Sequence, residues 1–187
     1  MTSFSAPALE TKFAAADLSG IDGEGVFSGY ASLFGTADLS GDLVLPGAFR
    51  RSLAKRGAGG IRMLYQHDPA EPIGVWAEIR EDPRGLFVRG RLMADVARGR
   101  EVASLMRAGA LDGLSIGFRT VKARADRTAG VRNLIEIDLW EISVVTFPMQ
   151  PDARVSSVKT TGLAARMRRA ARALQPTPSL NPTRTTR

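Results

Sequence analysis

The sequence predicts an α+β fold in which helices surround a closed or strongly curved, mainly antiparallel β-barrel. Three observations carry this expectation. Short apolar segments with period-two alternation recur along the chain, two stretches with helical spacing interrupt them, and Gly-containing turns separate most of the segments. The 187 residues, 44% hydrophobic and 24% charged, lie in the ordinary globular range and suffice for one substantial core.

Residues 1–24 predict a flexible leader that ends in a Gly- and Asp-rich turn, and the core is expected to begin near Val26, where GVFSGYASLFG alternates as a strand does. TADLSGDLVLPGAF is turn-rich. Ala48, Phe49, Leu53 and Ala54 then recur at helical spacing before GAGG ends the helix. IRMLYQH is a short apolar strand with His67 near its end. IGVWAEIREDPRGLFVRGRLM contains two alternating runs joined by Asp82-Pro83-Arg84-Gly85, a hairpin turn in which proline presets φ and glycine permits a positive one.

From Val96 to Ala110 the pattern is helical again, with Val102, Leu105 and Met106 on one side and Gly109 as the stop. GLSIGFRTVKARA is a strand, ADRTAG a polar turn, and LIEIDLWEISVVTFP a long final strand closing at Pro148. The expected organisation is therefore a leader over 1–24, one domain over 25–158 and a tail over 159–187. In the tail Leu163, Met167, Ala170, Ala171 and Leu174 form an apolar stripe among arginines, and Pro176, Pro178 and Pro182 keep the end extended.

The net charge of +7 is a property of that tail. Seven of the 26 basic residues lie at or beyond Lys159, where there is no acid, so 19 basic residues meet 19 acidic ones in the rest of the chain. Nucleic-acid contact is therefore expected only weakly, through the tail. With no cysteine and one histidine, disulfides, thiolate metal sites and histidine-rich zinc sites are excluded, and no Walker or Rossmann glycine loop is present, so neither a metal nor a cofactor is expected. No apolar run is long enough to span a bilayer, and the N-terminus lacks the pattern of a signal peptide; a soluble, intracellular protein without a membrane partner is predicted.

Two residues draw attention as chemistry. Ser115 stands between Gly113 and Gly117, whose freedom of backbone would let N–H groups approach a developing oxyanion. The spacing fits GxSxG, but no α/β-hydrolase pattern surrounds it, so a different serine fold is needed. A serine hydroxyl needs a base, and His67 is the one imidazole available. A third group would have to be a carboxylate, or the unit is a dyad; Asp68, Glu136, Asp138 and Glu141 are the candidates. Strict alternation in the last strand places Glu141 and Ser143 with Ile137, Leu139 and Val145 on an otherwise mostly apolar face, where a carboxylate needs a partner. That partner is either the histidine or one of the many arginines. Glu136 and Asp138 fall on the other face with Trp140, as solvent-facing strand acids.

Taken together, GYASLFG, GDLVLPGAF, LYQHD, IGVW, GLFVRG, GLSIGF and LWEISVVTFPMQPDARV resemble, in order and spacing, the HK97-type prohead proteases of tailed phages and gene transfer agents, over about Val26 to Val155. By that resemblance His67 is the general base, Ser115 the nucleophile and Glu141 the preferred third member. It implies a barrel ringed by helices like that of the herpesvirus assembly proteases, whose triad uses a second histidine that this chain lacks. It further implies a serine endopeptidase domain over 25–158, acting inside assembling procapsids in the host cytoplasm. The implied substrate is the N-terminal scaffolding segment of the major capsid protein, together with the protease itself, and self-association is a further implied contact. Two other readings of the residues are a catalytically inactive capsid-assembly or scaffold-like protein acting through its basic tail, and a nucleic-acid binder acting through the same tail.

Overall fold

The computed structural model describes residues 10–15, as a backbone strand, and residues 24–147. In chain order the elements are β1 (Glu10–Ala15), β2 (Val26–Leu33), β3 (Asp42–Val44), α1 (Arg50–Arg56), a 3-10 turn (Ala58–Gly60), β4 (Arg62–Tyr65), β5 (Asp68–Glu81), β6 (Gly85–Leu92), α2 (Ala97–Arg107), β7 (Gly113–Asp126) and β8 (Val131–Val145). The strands form one mixed sheet in the order β1-β7-β8-β4-β5-β6-β2, with β3 also pairing with β8. β4 and β3 run parallel to β8, and the other pairings are antiparallel.

The sheet curves into a half-barrel because one-residue bulges interrupt its ladders. Ala31, Ala77, Val121, Ile135 and Trp140 each lack a counterpart on the neighbouring strand, and a bulge bends the strand and sharpens its twist. β1 and β2, at the two ends of the order, approach each other, but no ladder joins them among the described residues.

β8 is the organising strand. On one side it pairs with β7 along nearly its whole length, and on the other with β3 at 132–134 and β4 at 141–144. The gap between β3 and β4 would leave backbone groups of β8 without strand partners, a cost that buried segments avoid. The α1 region fills it. Ile137 donates its N–H to Ala48 O (3.1 Å), while Ser52 Oγ, buried on α1, accepts from Leu139 N–H (2.8 Å) and donates to Leu139 O (3.4 Å). The first turn of α1 has no acid of its own. Glu81, at the end of β5, takes that role by accepting from the N–H groups of Phe49 (2.8 Å) and Gly47 (3.1 Å).

The concave face of the sheet and the two helices enclose the core. Phe27, Met63, Trp76, Val88, Ile116, Phe118, Leu139 and Ile142 meet Phe49 from the α1 region and Val102 and Met106 from α2. Phe27 and Trp76 pack edge to face at 5.6 Å. Trp76 lies opposite Gly90 in the ladder, where a side chain would overlap its ring and the end of Met63.

Several expectations are met and two are revised. The hairpin turn at Asp82–Gly85, both helices and the strand around Ser115 fall where the sequence places them. β1, by contrast, lies inside the stretch assigned to the leader: ETKFAA carries little alternation, and what makes it a strand is the edge of β7 at 113–118. The expectation of a closed or strongly curved, mainly antiparallel barrel is met in a coarser form: among the described residues five of the seven strand pairings are antiparallel, and the sheet curves into a mixed half-barrel. Leu105 is 40% exposed, so the buried side of α2 is Gly99, Val102, Ala103 and Met106. The tail over 159–187 and its apolar stripe lie outside the described residues. No helix among the described residues is long and apolar enough to cross a membrane.

Candidate active site

His67 sits in the two-residue turn between β4 and β5. Tyr65 pairs with Asp68, and both intervening residues adopt the left-handed region, Gln66 at φ 53° and His67 at φ 62°. Two consecutive positive φ values are what a tight hairpin with the native twist demands, and histidine tolerates that region better than most side chains. The turn is anchored to β8 by Gln66 N–H to Val144 O (3.0 Å) and to the residue just after that strand by Gln66 Nε2 to Thr146 Oγ1 (2.5 Å).

Ser115 lies on β7 directly opposite Ser143 of β8, and Gly117 lies opposite Glu141. Leu114, Ile116 and Phe118 face the core, so the period-two alternation of β7 turns Ser115 and Gly117 to the convex face. Here the sequence-derived geometry needs correction. The bulge at Trp140 shifts the alternation of β8 by one residue, since Phe118 pairs with Leu139 and Gly117 with Glu141. Ile137 and Leu139 face the core before the bulge, and Ile142 and Val144 face it afterwards. Glu141 and Ser143 are therefore turned away from Ile137 and Leu139 and join Ser115 on the convex face.

These side chains form one continuous hydrogen-bonded chain. Ser115 Oγ lies 2.6 Å from His67 Nε2, and His67 Nδ1 lies 2.6 Å from Glu141 Oε1. A carboxylate only accepts, so Nδ1 carries the proton toward Glu141, and Nε2 offers its lone pair to the Ser115 hydroxyl. Ser143 Oγ donates to Glu141 Oε2 (2.6 Å) and accepts the His67 backbone N–H (3.1 Å). Glu141 is 4% exposed and Ser115 and Ser143 are fully buried, while the His67 side chain keeps 17% of its surface exposed.

The other three carboxylates have different partners. Glu136 meets Arg51 at 3.3 Å. Asp138, far from being a free solvent-facing acid, accepts two hydrogen bonds from Arg56 Nη2 (2.9 and 3.0 Å) and one from Trp140 Nε1 (3.0 Å). Asp68 Oδ1 accepts the N–H of Ala70 (2.8 Å). The arginine pairing that the sequence left open for Glu141 does not occur among the described residues, where its partners are His67 and Ser143. Nor do the flanking glycines behave as expected: neither has a positive φ, and both are paired in the β7–β8 ladder, Gly117 immediately beside the bulge at Trp140. Gly117 is required for space, because a methyl group there would overlap Glu141 Oε1. Among the described residues no group of three or more His, Asp or Glu side chains gathers in a way that could hold a metal ion.

Residues 11–168 match the family model described as Caudovirus prohead serine protease. The chain belongs to that family. The match takes in most of β1 and runs past Val158 into the predicted tail. Among curated relatives of this prohead protease family member, the prohead protease of Enterobacteria phage HK97 is 36% identical over 139 residues, covering 73% of this chain and 61% of the relative. The prohead protease of Escherichia phage T5 is 27% identical over 124 residues, covering 66% and 58%. The chain thus spans about three fifths of the length of these relatives. The capsid assembly protease of bacteriophage T4 shares the fold, with a TM-score of 0.59 at 15% identity over 75% of this chain and 97% of that one. Sequence reasoning did not single out Ser143 or the steric role of Gly117; the direct pairing of β7 with β8, had it been assumed, would have found both.

Proposed function

We propose that this prohead protease family member is a serine endopeptidase in which Ser115 is the nucleophile, His67 the general base and Glu141 the group that orients and charge-balances the imidazole. The observation that carries the proposal is the unbroken relay Ser115 Oγ, His67 Nε2, His67 Nδ1, Glu141 Oε1, with both hydrogen bonds at 2.6 Å. As Ser115 Oγ attacks a peptide carbonyl carbon, its proton passes to Nε2, and Glu141 faces the imidazolium that results. Collapse of the tetrahedral intermediate returns that proton to the departing amine and leaves an acyl-serine. Water, activated by the same nitrogen, then releases the acid and restores Ser115. Because Ser115 has no exposed surface, a scissile carbonyl reaches it only after whatever covers the hydroxyl moves aside.

The substrate in this proposal is the scaffolding segment of the major capsid protein inside the procapsid, with self-cleavage as a second reaction. Residues 25–158 form the catalytic unit, helped by β1, and the basic tail over 159–187 docks the protein in the assembling particle. The likeness to the herpesvirus assembly proteases and a fully closed barrel belong to the same proposal, supported by the half-barrel whose end strands approach each other. Incubating the chain with its cognate capsid protein and sequencing the new N-termini tests it: a defined cleavage lost in Ser115→Ala supports the assignment, and cleavage that persists in that variant removes it. A chain ending at Val158 that hydrolyses a capsid-derived peptide but is not incorporated into particles supports the role of the tail.

A further inference from the structure

We infer that Ser143 is a positioning residue of this site, holding the His67 backbone and the Glu141 carboxylate in one closed ring of hydrogen bonds. The kinetic part of this inference rests on the proteolytic function proposed above; the structural part does not. Ser143 is fully buried and its hydroxyl both donates and accepts: its proton goes to Glu141 Oε2 at 2.6 Å, and its oxygen accepts the His67 N–H at 3.1 Å. Glu141 Oε1 in turn accepts from His67 Nδ1 at 2.6 Å. The ring therefore passes through His67 twice, once at its backbone and once at its imidazole.

The arrangement answers a mechanical problem. His67 occupies a left-handed conformation next to another left-handed residue, a state that side-chain-bearing residues hold only when their surroundings enforce it. Cross-strand pairing places the two serines face to face, with Ser115 addressing the ring and Ser143 the amide of the same histidine. A short side chain that both donates and accepts is required at this position, and alanine would strand a buried carboxylate oxygen and a backbone N–H together.

The test compares the full-length wild type with Ser143→Ala, Ser143→Cys and Ser115→Ala. Because His67 is the single histidine, its ring proton and nitrogen NMR signals need no assignment strategy and report its environment without reference to activity. Ser143→Ala and Ser143→Cys are expected to shift and broaden those signals while amide signals of β2, β5 and β6 stay in place. On a capsid-derived peptide kcat should fall about 100-fold, the scale of a ~1 Å misplacement, with KM little changed. Unaltered ring signals and near-wild-type kcat in either folded variant overturn the inference. If alanine prevents folding, cysteine decides, since its slightly larger thiol leaves no void and forms only weak hydrogen bonds. Should the wild type prove as inactive as Ser115→Ala, proteolysis fails as a function, and the ring signals still decide the role of Ser143: shifted supports it, unshifted sinks it.

Discussion

Ser115 and Ser143 stand opposite each other in the β7–β8 ladder, and one histidine joins them, its ring to the first and its backbone amide to the second. The strongest consequence concerns the nucleophile. Ser115→Ala should lower peptide hydrolysis by about 10⁴- to 10⁶-fold, His67→Ala by a similar factor, and the double variant by little more, because members of one catalytic unit do not lose their effects additively. Losses that multiply in the double variant would show that the two residues act separately.

Glu141→Gln should cost about 10²- to 10⁴-fold in kcat, because an amide keeps the volume but neither fixes the tautomer nor balances the imidazolium. Asp138→Asn should leave kcat near wild type, its carboxylate being committed to Arg56 and Trp140. Steady-state kinetics on one peptide with both variants checks the contrast, and the reverse order of damage would remove Glu141 from the relay.

Gly117→Ala introduces a methyl group where Glu141 Oε1 lies. Either the carboxylate or the strand must shift, so the variant should lose most of its activity and about 1–3 kcal/mol of stability. Kinetics and urea denaturation on the same preparation separate the two losses. Full activity would mean that Glu141 has another seat.

Glu81→Ala should remove the cap from the start of α1, where the carboxylate accepts two backbone N–H groups. A loss of about 1–2 kcal/mol is expected, read as a lower urea midpoint, with kcat per folded molecule unchanged because α1 supports β8 away from the relay.

At the hairpin turn, burial would raise the Asp82 carboxyl, but hydrogen bonds from the Tyr30 hydroxyl, the Arg84 and Gly85 amides and the Arg80 guanidinium outweigh it and hold the group below its ordinary value. A carboxyl lowered in the folded state adds stability above its unfolded value and loses it as pH falls through the folded one. The contribution should therefore disappear between the ordinary value of 3.8 and the lower folded one. Urea midpoints measured across that interval should fall more steeply for the wild type than for Asp82→Asn; parallel curves would contradict the assignment.

Much of the site was legible before any tertiary information. With one histidine in the chain, any serine chemistry had to use His67, and the glycine-framed Ser115 was the natural partner. Glu141 does lie against His67, but the reason for choosing it was only half right: a buried carboxylate does need a partner, but the alternation used to place it ignores the bulge at Trp140. No local pattern announces that bulge, because it is a mismatch between two strands and not a property of either.

Periodicity, turn chemistry and residue inventory act within a few residues of the chain, and so the sequence by itself determined the helices, the strands around Ser115 and Glu141, the Asp82 turn and the single imidazole on which the proposed relay rests. Pairing acts between residues that are distant along the chain, and its outcome depends on which edges remain open once the core has formed. Only the tertiary structure decided that Glu10–Ala15 completes the edge of β7, that Glu81 caps α1, that the sheet is mixed, and that Ser143 and Gly117 frame the relay. Each of these is a register or contact selected by the packing of the whole domain, where one residue of slip would exchange the convex face for the core.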